Sequence, residues 1–114
     1  MGGSRGIRRL HGASRFALVL RRGRKFRSVH FELSLLFSAA GGGLGINVPK
    51  RFVDSAVRRN QIKRLLRETW RHSGLRCFGD CVLRVRTAIT GSGATVTRDE
   101  LQTLIKDVTG AANR

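Results

Sequence analysis

The chain has no Tyr, one Pro, one Met, one Trp and two Cys. Acids are scarce as well, with seven Asp and Glu against 23 Lys and Arg. Each shortage excludes something. Two cysteines separated by three residues, Cys77 and Cys81, do not make a disulfide framework. With His72 they give three candidate zinc ligands but no paired second cluster, and two reduced thiols are the expectation. No apolar run reaches the roughly 18 residues a membrane span needs. The basic start lacks the apolar core and small-residue cleavage site of a signal peptide, so the expected location is the cytoplasm.

Glu32, Asp54, Glu68, Asp80, Asp99, Glu100 and Asp107 are all the acids there are. Protein-catalysed phosphodiester cleavage usually needs clustered carboxylates to hold metal ions. Only Asp99 and Glu100 adjoin, and helix capping accounts for them. His11, His30 and His72 form no pair along the sequence. The pattern therefore opposes a stand-alone nuclease, and no catalytic residue, metal ligand or protein-bound cofactor is expected.

What is abundant is positive charge. The 114 residues carry a net charge of +16, and 19 of the 23 cations are Arg. A domain this basic repels itself unless a polyanion compensates it. Arg adds a flat fork that matches phosphate oxygens and stacks on bases. Hydrophobic residues make up 40% of the chain, enough for one folded domain over residues 14–110 behind a basic tail at 1–13.

Along that domain, Ser14 is placed to cap a helix to Arg22, with Phe16, Val19 and Leu20 on its apolar side and Gly23 as the stop. Residues 24–30 allow a short edge strand. Phe31, Leu33, Leu35 and Phe37 alternate with Glu32, Ser34 and Leu36, a strand pattern. Gly41–Gly43 makes a turn into a second strand, Leu44–Val48, expected to lie antiparallel to the first and to end at Pro49. A helix follows from Ser55 to His72, with Asp54 as its expected cap and Gly74 as its stop. A strand over Cys81–Arg86 and a turn at Gly91–Gly93 lead to a last helix. That helix is expected to open on the capping box Thr97-Arg98-Asp99-Glu100, to bury Leu101, Leu104, Ile105 and Val108, and to end before Gly110. The expected fold is α+β, a two-layer α/β sandwich of three helices and about four strands.

The segment from Ala56 to Arg71 is the most informative. At about 100° per residue, Ile62, Leu65, Leu66 and Thr69 share one helix face. Arg59, Lys63, Arg67 and Arg71 are spaced four apart along another, widened by Asn60 and Arg64. Like charges at this spacing weaken an isolated helix by a few tenths of a kcal/mol per pair. Glu68 is the single acid in the segment and cannot balance five cations, so phosphates are the natural counter-charge.

These residues resemble the signature of the bacterial ribonuclease P protein family. Ala56, Val57, Arg59, Asn60, Lys63, Arg64, Arg67, Glu68, Trp70 and Arg71 match it, ten positions within sixteen residues. Phe16-x-x-Val19-Leu20-x-x-Gly23, the run Leu44 to Arg51, and Asp80 to Arg86 also look like family segments, and the likeness covers residues 14–108. The resemblance implies a left-handed βαβ crossover, against the usual right-handed rule. It implies that Arg59, Asn60, Lys63, Arg64, Arg67 and Arg71 contact the catalytic ribonuclease P RNA. It further implies that the 5′ leader of precursor tRNA lies in a cleft beside Phe16, Leu20, Lys50 and Arg51. Cleavage is then expected from the RNA with magnesium ions. Leu20 stands where the family often has an aromatic, so the cleft is poor in stacking groups. A basic ribosomal or ribosome-assembly protein would share the charge and size but not the signature.

Overall fold

In the computed structural model, the described residues are 12–89 and 94–112, with side chains from 14 to 89 and 98 to 112. Most of the expected basic tail and the Gly91–Gly93 turn lie outside them. Helix α1 (Gly12–Arg22) leads into strand β1 (Arg24–Arg27), then β2 (Phe31–Phe37) and β3 (Leu44–Asn47). Helix α2 (Ala56–Ser73), a 3-10 turn (Leu75–Cys77), β4 (Gly79–Val85) and α3 (Ala94–Ala112) complete the domain.

The sheet order is β1-β2-β4-β3. β2 pairs antiparallel with both β1 and β4, whereas β3 pairs parallel with β4. The expected antiparallel β2–β3 hairpin does not form. The α2 crossover joins β3 to β4, and a helical crossover connects parallel strands. To reach the far edge, the chain passes over the start of β4. Gly42 makes that possible, because a Cβ there would collide with the backbone of Gly79 and Asp80. Gly42 N–H donates to the Arg76 carbonyl and Cys81 N–H to the Gly43 carbonyl, which fixes the path at 2.9 Å each.

The core lies between one sheet face and two helices. Phe31, Leu33 and Leu35 of β2, with Leu83 and Val85 of β4, meet Ile62, Leu66 and Trp70 of α2 and Leu101, Leu104 and Val108 of α3. The buried face of α2 is therefore turned from the expected one. Leu65 and Thr69 are only half-buried, while Trp70, counted in the family signature, is a core residue at 1% exposure. Spacing of four puts Ile62, Leu66 and Trp70 in one row.

Three helix ends also differ from expectation. α1 starts at Gly12, so Ser14 is inside it. Ser55, not Asp54, caps α2: its φ/ψ of −80°/127° is extended, and its side chain accepts from Arg58 N–H at 3.3 Å. The cap must be the last extended residue before the helix, and that residue is one position later than Asp54. α3 starts at Ala94 and runs past Gly110 to Ala112, so Thr97–Glu100 is helical rather than a cap. Gly74 does end α2, in the left-handed conformation at φ 78° that glycine favours.

α1 packs on β2 and β4. Register partners point to one face, which puts Glu32 with Arg84, Ser34 with Val82 and Leu36 with Asp80. This is the face opposite Phe31, Leu33 and Leu35. Arg15 of α1 pairs with Asp80 there, so α1 crosses the sheet on the side away from α2 and α3.

Candidate nucleic-acid interface

Two basic surfaces lie on opposite sides of the sheet. On α2, the row Ile62, Leu66, Trp70 is sealed into the core, which leaves Asn60, Arg64 and Arg71 exposed and Arg59, Lys63 and Arg67 half-buried along its flank. One helix thus brings all six predicted residues together. Arg71 and Glu68 form an exposed pair at 3.5 Å, which adds little to stability. Arg59 has a second task. Its Nη1 donates to the carbonyls of Val53 at 3.0 Å and Asp54 at 2.9 Å, tying the preceding loop to the helix.

On the outer sheet face, Phe16 and Leu20 are half-buried on α1, one turn apart, while Val19 between them is fully buried. Lys50 and Arg51 are exposed in the turn after β3, the edge strand beside β4. Pro49 forms that turn, its carbonyl accepting from Phe52 and Val53 N–H at 3.1 Å each. The Arg51 guanidinium lies 4.7 Å from the centroid of the Phe52 ring, a cation–π contact.

The same sheet face carries an ionic cluster that the sequence reading missed. Glu32, 1% exposed, accepts from Arg27 Nε at 2.7 Å through Oε2. Its Oε1 accepts from Arg84 Nε at 2.8 Å and Nη2 at 2.7 Å. Burial alone would push the Glu32 carboxyl up, but the two arginines hold it below its ordinary range. A signal was available: Arg27 and Glu32 flank a short hairpin as register partners. Nearby, Asp80, 6% exposed, accepts from Gly43 N–H at 2.8 Å and from Arg15 Nε at 2.6 Å, anchoring α1.

Glu100 is the second correction among the acids. It accepts from His30 backbone N–H at 2.6 Å, faces His30 Nδ1 at 2.6 Å and pairs with the Ser28 hydroxyl. Burial raises its carboxyl, and the His30 and Ser28 hydrogen bonds bring it below its ordinary value. It fastens the β1–β2 hairpin to α3.

Among the described residues no group of three or more His, Cys, Asp or Glu side chains is placed to hold a metal ion. Glu32, Asp80 and Glu100 each face basic or hydrogen-bonding partners instead. Both cysteines are free thiols, Cys77 exposed and Cys81 buried. Burial pushes the Cys81 thiol up to about 12, which keeps it protonated and inert. No helix among the described residues is long and apolar enough to cross a membrane.

Comparison with known proteins shows the family and the fold. A family model described as Ribonuclease P matches residues 6–109. A ribonuclease P protein component from Nitrosomonas eutropha is 35% identical over 101 residues, covering 85% of this chain and 84% of its own. One from Bordetella petrii is 40% identical over 73 residues, 59% of each chain. Among solved structures, the RNase P protein from Thermotoga maritima superposes with a TM-score of 0.69 at 29% identity, over 88% of this chain and 96% of that one. The Staphylococcus aureus RNase P protein gives 0.73 at 22% identity, over 88% and 94%, a likeness of fold.

Proposed function

The chain belongs to the ribonuclease P protein family, and from that premise we propose that it serves two RNAs with its two basic surfaces. As the protein subunit of this ribonucleoprotein endoribonuclease, its partner is the ribonuclease P RNA. In our reading, the α2 surface of Arg59, Asn60, Lys63, Arg64, Arg67 and Arg71 takes that RNA. The outer sheet face, with Phe16, Leu20, Lys50 and Arg51, takes the 5′ leader of precursor tRNA.

The stripe on α2 carries this reading. Six polar side chains occupy one side of a helix whose other side is locked into the core, and a single acid stands among them. Solvated helix faces normally mix charge signs. A face of one sign gains from the release of counterions when phosphates replace them.

The protein's part is to bind and orient. Its described carboxylates do not suit a magnesium site, since each inward-facing one is held by basic or backbone groups. Magnesium belongs in this reading to the RNA centre, where it supplies the charge neutralisation for cleavage. The place of action is the cytoplasm, where precursor tRNA is processed.

The test mixes the protein with a bacterial ribonuclease P RNA and precursor tRNA at low magnesium. Leader cleavage that needs the RNA and is stimulated by the protein is the expected result. Cleavage by the protein alone, or no stimulation at any protein concentration, overturns the reading.

A further inference from the structure

The outer sheet face offers few rings for bases. Ser34 and Val82 are fully buried there, and Leu20 stands on α1 beside Phe16. What the face does offer is the row Arg27, Glu32, Arg84 and Asn47, one residue from each strand in register. We propose that Arg27 and Arg84, held in place by Glu32, form a clamp for one phosphodiester of a single strand of RNA, so that this face grips the leader through its backbone rather than its bases. The inference rests on the leader-binding reading above and names the group that is recognised.

Three observations support the clamp. First, the row carries a net single positive charge, because two guanidiniums share one carboxylate. Second, the ion pairs do not use up the donors. Arg27 gives Nε to Glu32 and Arg84 gives Nε and Nη2; both Nη groups of Arg27 and Nη1 of Arg84 make no other hydrogen bond among the described residues. Third, the arginines are open to solvent while their anchor is not. The side chains of Arg27 and Arg84 are 57% and 37% exposed, against 2% for Glu32. A buried carboxylate that fixes two solvent-facing forks removes the rotamer entropy that a free arginine loses on binding. Planar forks suit bidentate contact with phosphate oxygens. Asn47 continues the row towards the turn that carries Lys50 and Arg51, so a strand leaving the clamp meets further cations.

Glu32 is then a positioning residue, and it permits a sharp test. Bulk attraction and positioning predict opposite signs for Glu32→Gln. Losing a negative charge should tighten RNA binding if net charge alone matters. It should weaken binding if the carboxylate aims the arginines.

The experiment measures affinity of the assembled enzyme, at saturating protein, for mature tRNA and for precursor tRNA carrying natural, abasic or singly methylphosphonate-substituted leaders. With the wild-type protein, one neutral linkage should cost about tenfold, the scale of a charged hydrogen bond to phosphate, and abasic leaders clearly less. Arg84→Met should cost a similar factor on the natural leader and nothing further on the substituted one. The triple variant R27M/E32Q/R84M, which leaves no unpaired carboxylate, should match it while keeping the wild-type melting temperature to within a few degrees. Glu32→Gln should weaken precursor binding and leave mature tRNA unaffected.

If the wild-type protein itself does not separate precursor from mature tRNA, the leader-binding reading fails. If it does, but the arginine variants keep the wild-type ratio, or Glu32→Gln tightens binding, the clamp alone fails.

Discussion

The two basic surfaces present the same side chain in different ways. On α2, Arg64 and Arg71 stand exposed on a helix, and the one acid beside them, Glu68, is itself exposed. On the outer sheet face, Arg15, Arg27 and Arg84 are tied to carboxylates that the fold buries. The first surface is adjustable: long side chains can find phosphates on a large folded RNA. The second is fixed by strand register and offers a preset geometry to a thin, flexible strand. Removing an exposed α2 arginine such as Arg64 should therefore alter binding and not folding. Removing a sheet-face arginine should alter both, because it strands a buried charge.

The comparison can be broken from its base. Leu66 is fully buried behind the α2 stripe. Leu66→Asp would place an unpaired charge in the core and should cost more than about 4 kcal/mol, a large part of the roughly 5–15 kcal/mol that stabilises a domain of this size. Arg64→Ala, two residues earlier, should change stability by less than about 0.5 kcal/mol and still weaken binding to the ribonuclease P RNA. Thermal melts of both variants check this. If Arg64→Ala melted as early as Leu66→Asp, the stripe would be structural.

Next in size is the double variant R27A/R84A, which leaves Glu32 buried with neither partner. Breaking a buried ion pair costs about 3–5 kcal/mol; partial solvation of these arginines brings the expected loss to roughly 2–3 kcal/mol. The corresponding α2 pair, R64A/R67A, should cost almost no stability, yet reduce the salt dependence of RNA affinity by nearly one log unit of slope per lost phosphate contact. Denaturant melts and salt titrations measured on both pairs decide whether the two surfaces differ as described.

Acid sharpens the same contrast. The Glu32 and Glu100 carboxyls titrate below their ordinary value of 4.5 in the folded protein. A lowered folded value gives stability that is complete above the unfolded value and is lost as pH falls through the folded one. Stability should thus hold from neutral pH to about 5 and decline below 4.5, with Glu32→Gln flattening part of that decline. An equal acid limb in wild type and Glu32→Gln would show that Glu32 contributes nothing to it.

Much of this arrangement is legible in the sequence. Alternation alone marks Phe31–Phe37, because the residue before it belongs to a turn and the one after it leaves the sheet. Spacing of four marks the α2 cations, since the same helix must bury Ile62 and Leu66. Pairings between distant segments are less legible. Leu44–Asn47 looks the same whether its neighbour is β2 or β4, and only the α2 crossover decides. Glu100 three residues after Thr97 fits a capping box, yet the helix begins a turn earlier and the carboxylate is taken by His30, 70 positions away. Glu32 looks like a solvent-facing strand residue, and what holds it is Arg27 across the hairpin and Arg84, 52 positions away.

The smallest expected effect concerns Phe16, the one ring on α1 that can meet a leader base. It is half-buried and beside the fully buried Val19, so part of the ring already rests on protein and only part is free to stack. A fully available platform contributes about 1–3 kcal/mol per base. The low end applies here, so Phe16→Ala should weaken precursor tRNA binding about fivefold, with no change for mature tRNA. Arg59→Ala with Lys63→Ala should instead weaken assembly with the ribonuclease P RNA, and raising the protein concentration should restore it by mass action. Arg59 also bonds the carbonyls of Val53 and Asp54, so Lys63→Ala alone is the control free of that loss. The ratio of precursor to mature affinity at saturating protein separates the surfaces. A drop for Phe16→Ala and none for Lys63→Ala keeps leader and catalytic RNA on opposite sides of the sheet. A folded Phe16→Ala protein with the wild-type ratio would make Phe16 a packing residue and leave the leader to its phosphate contacts alone.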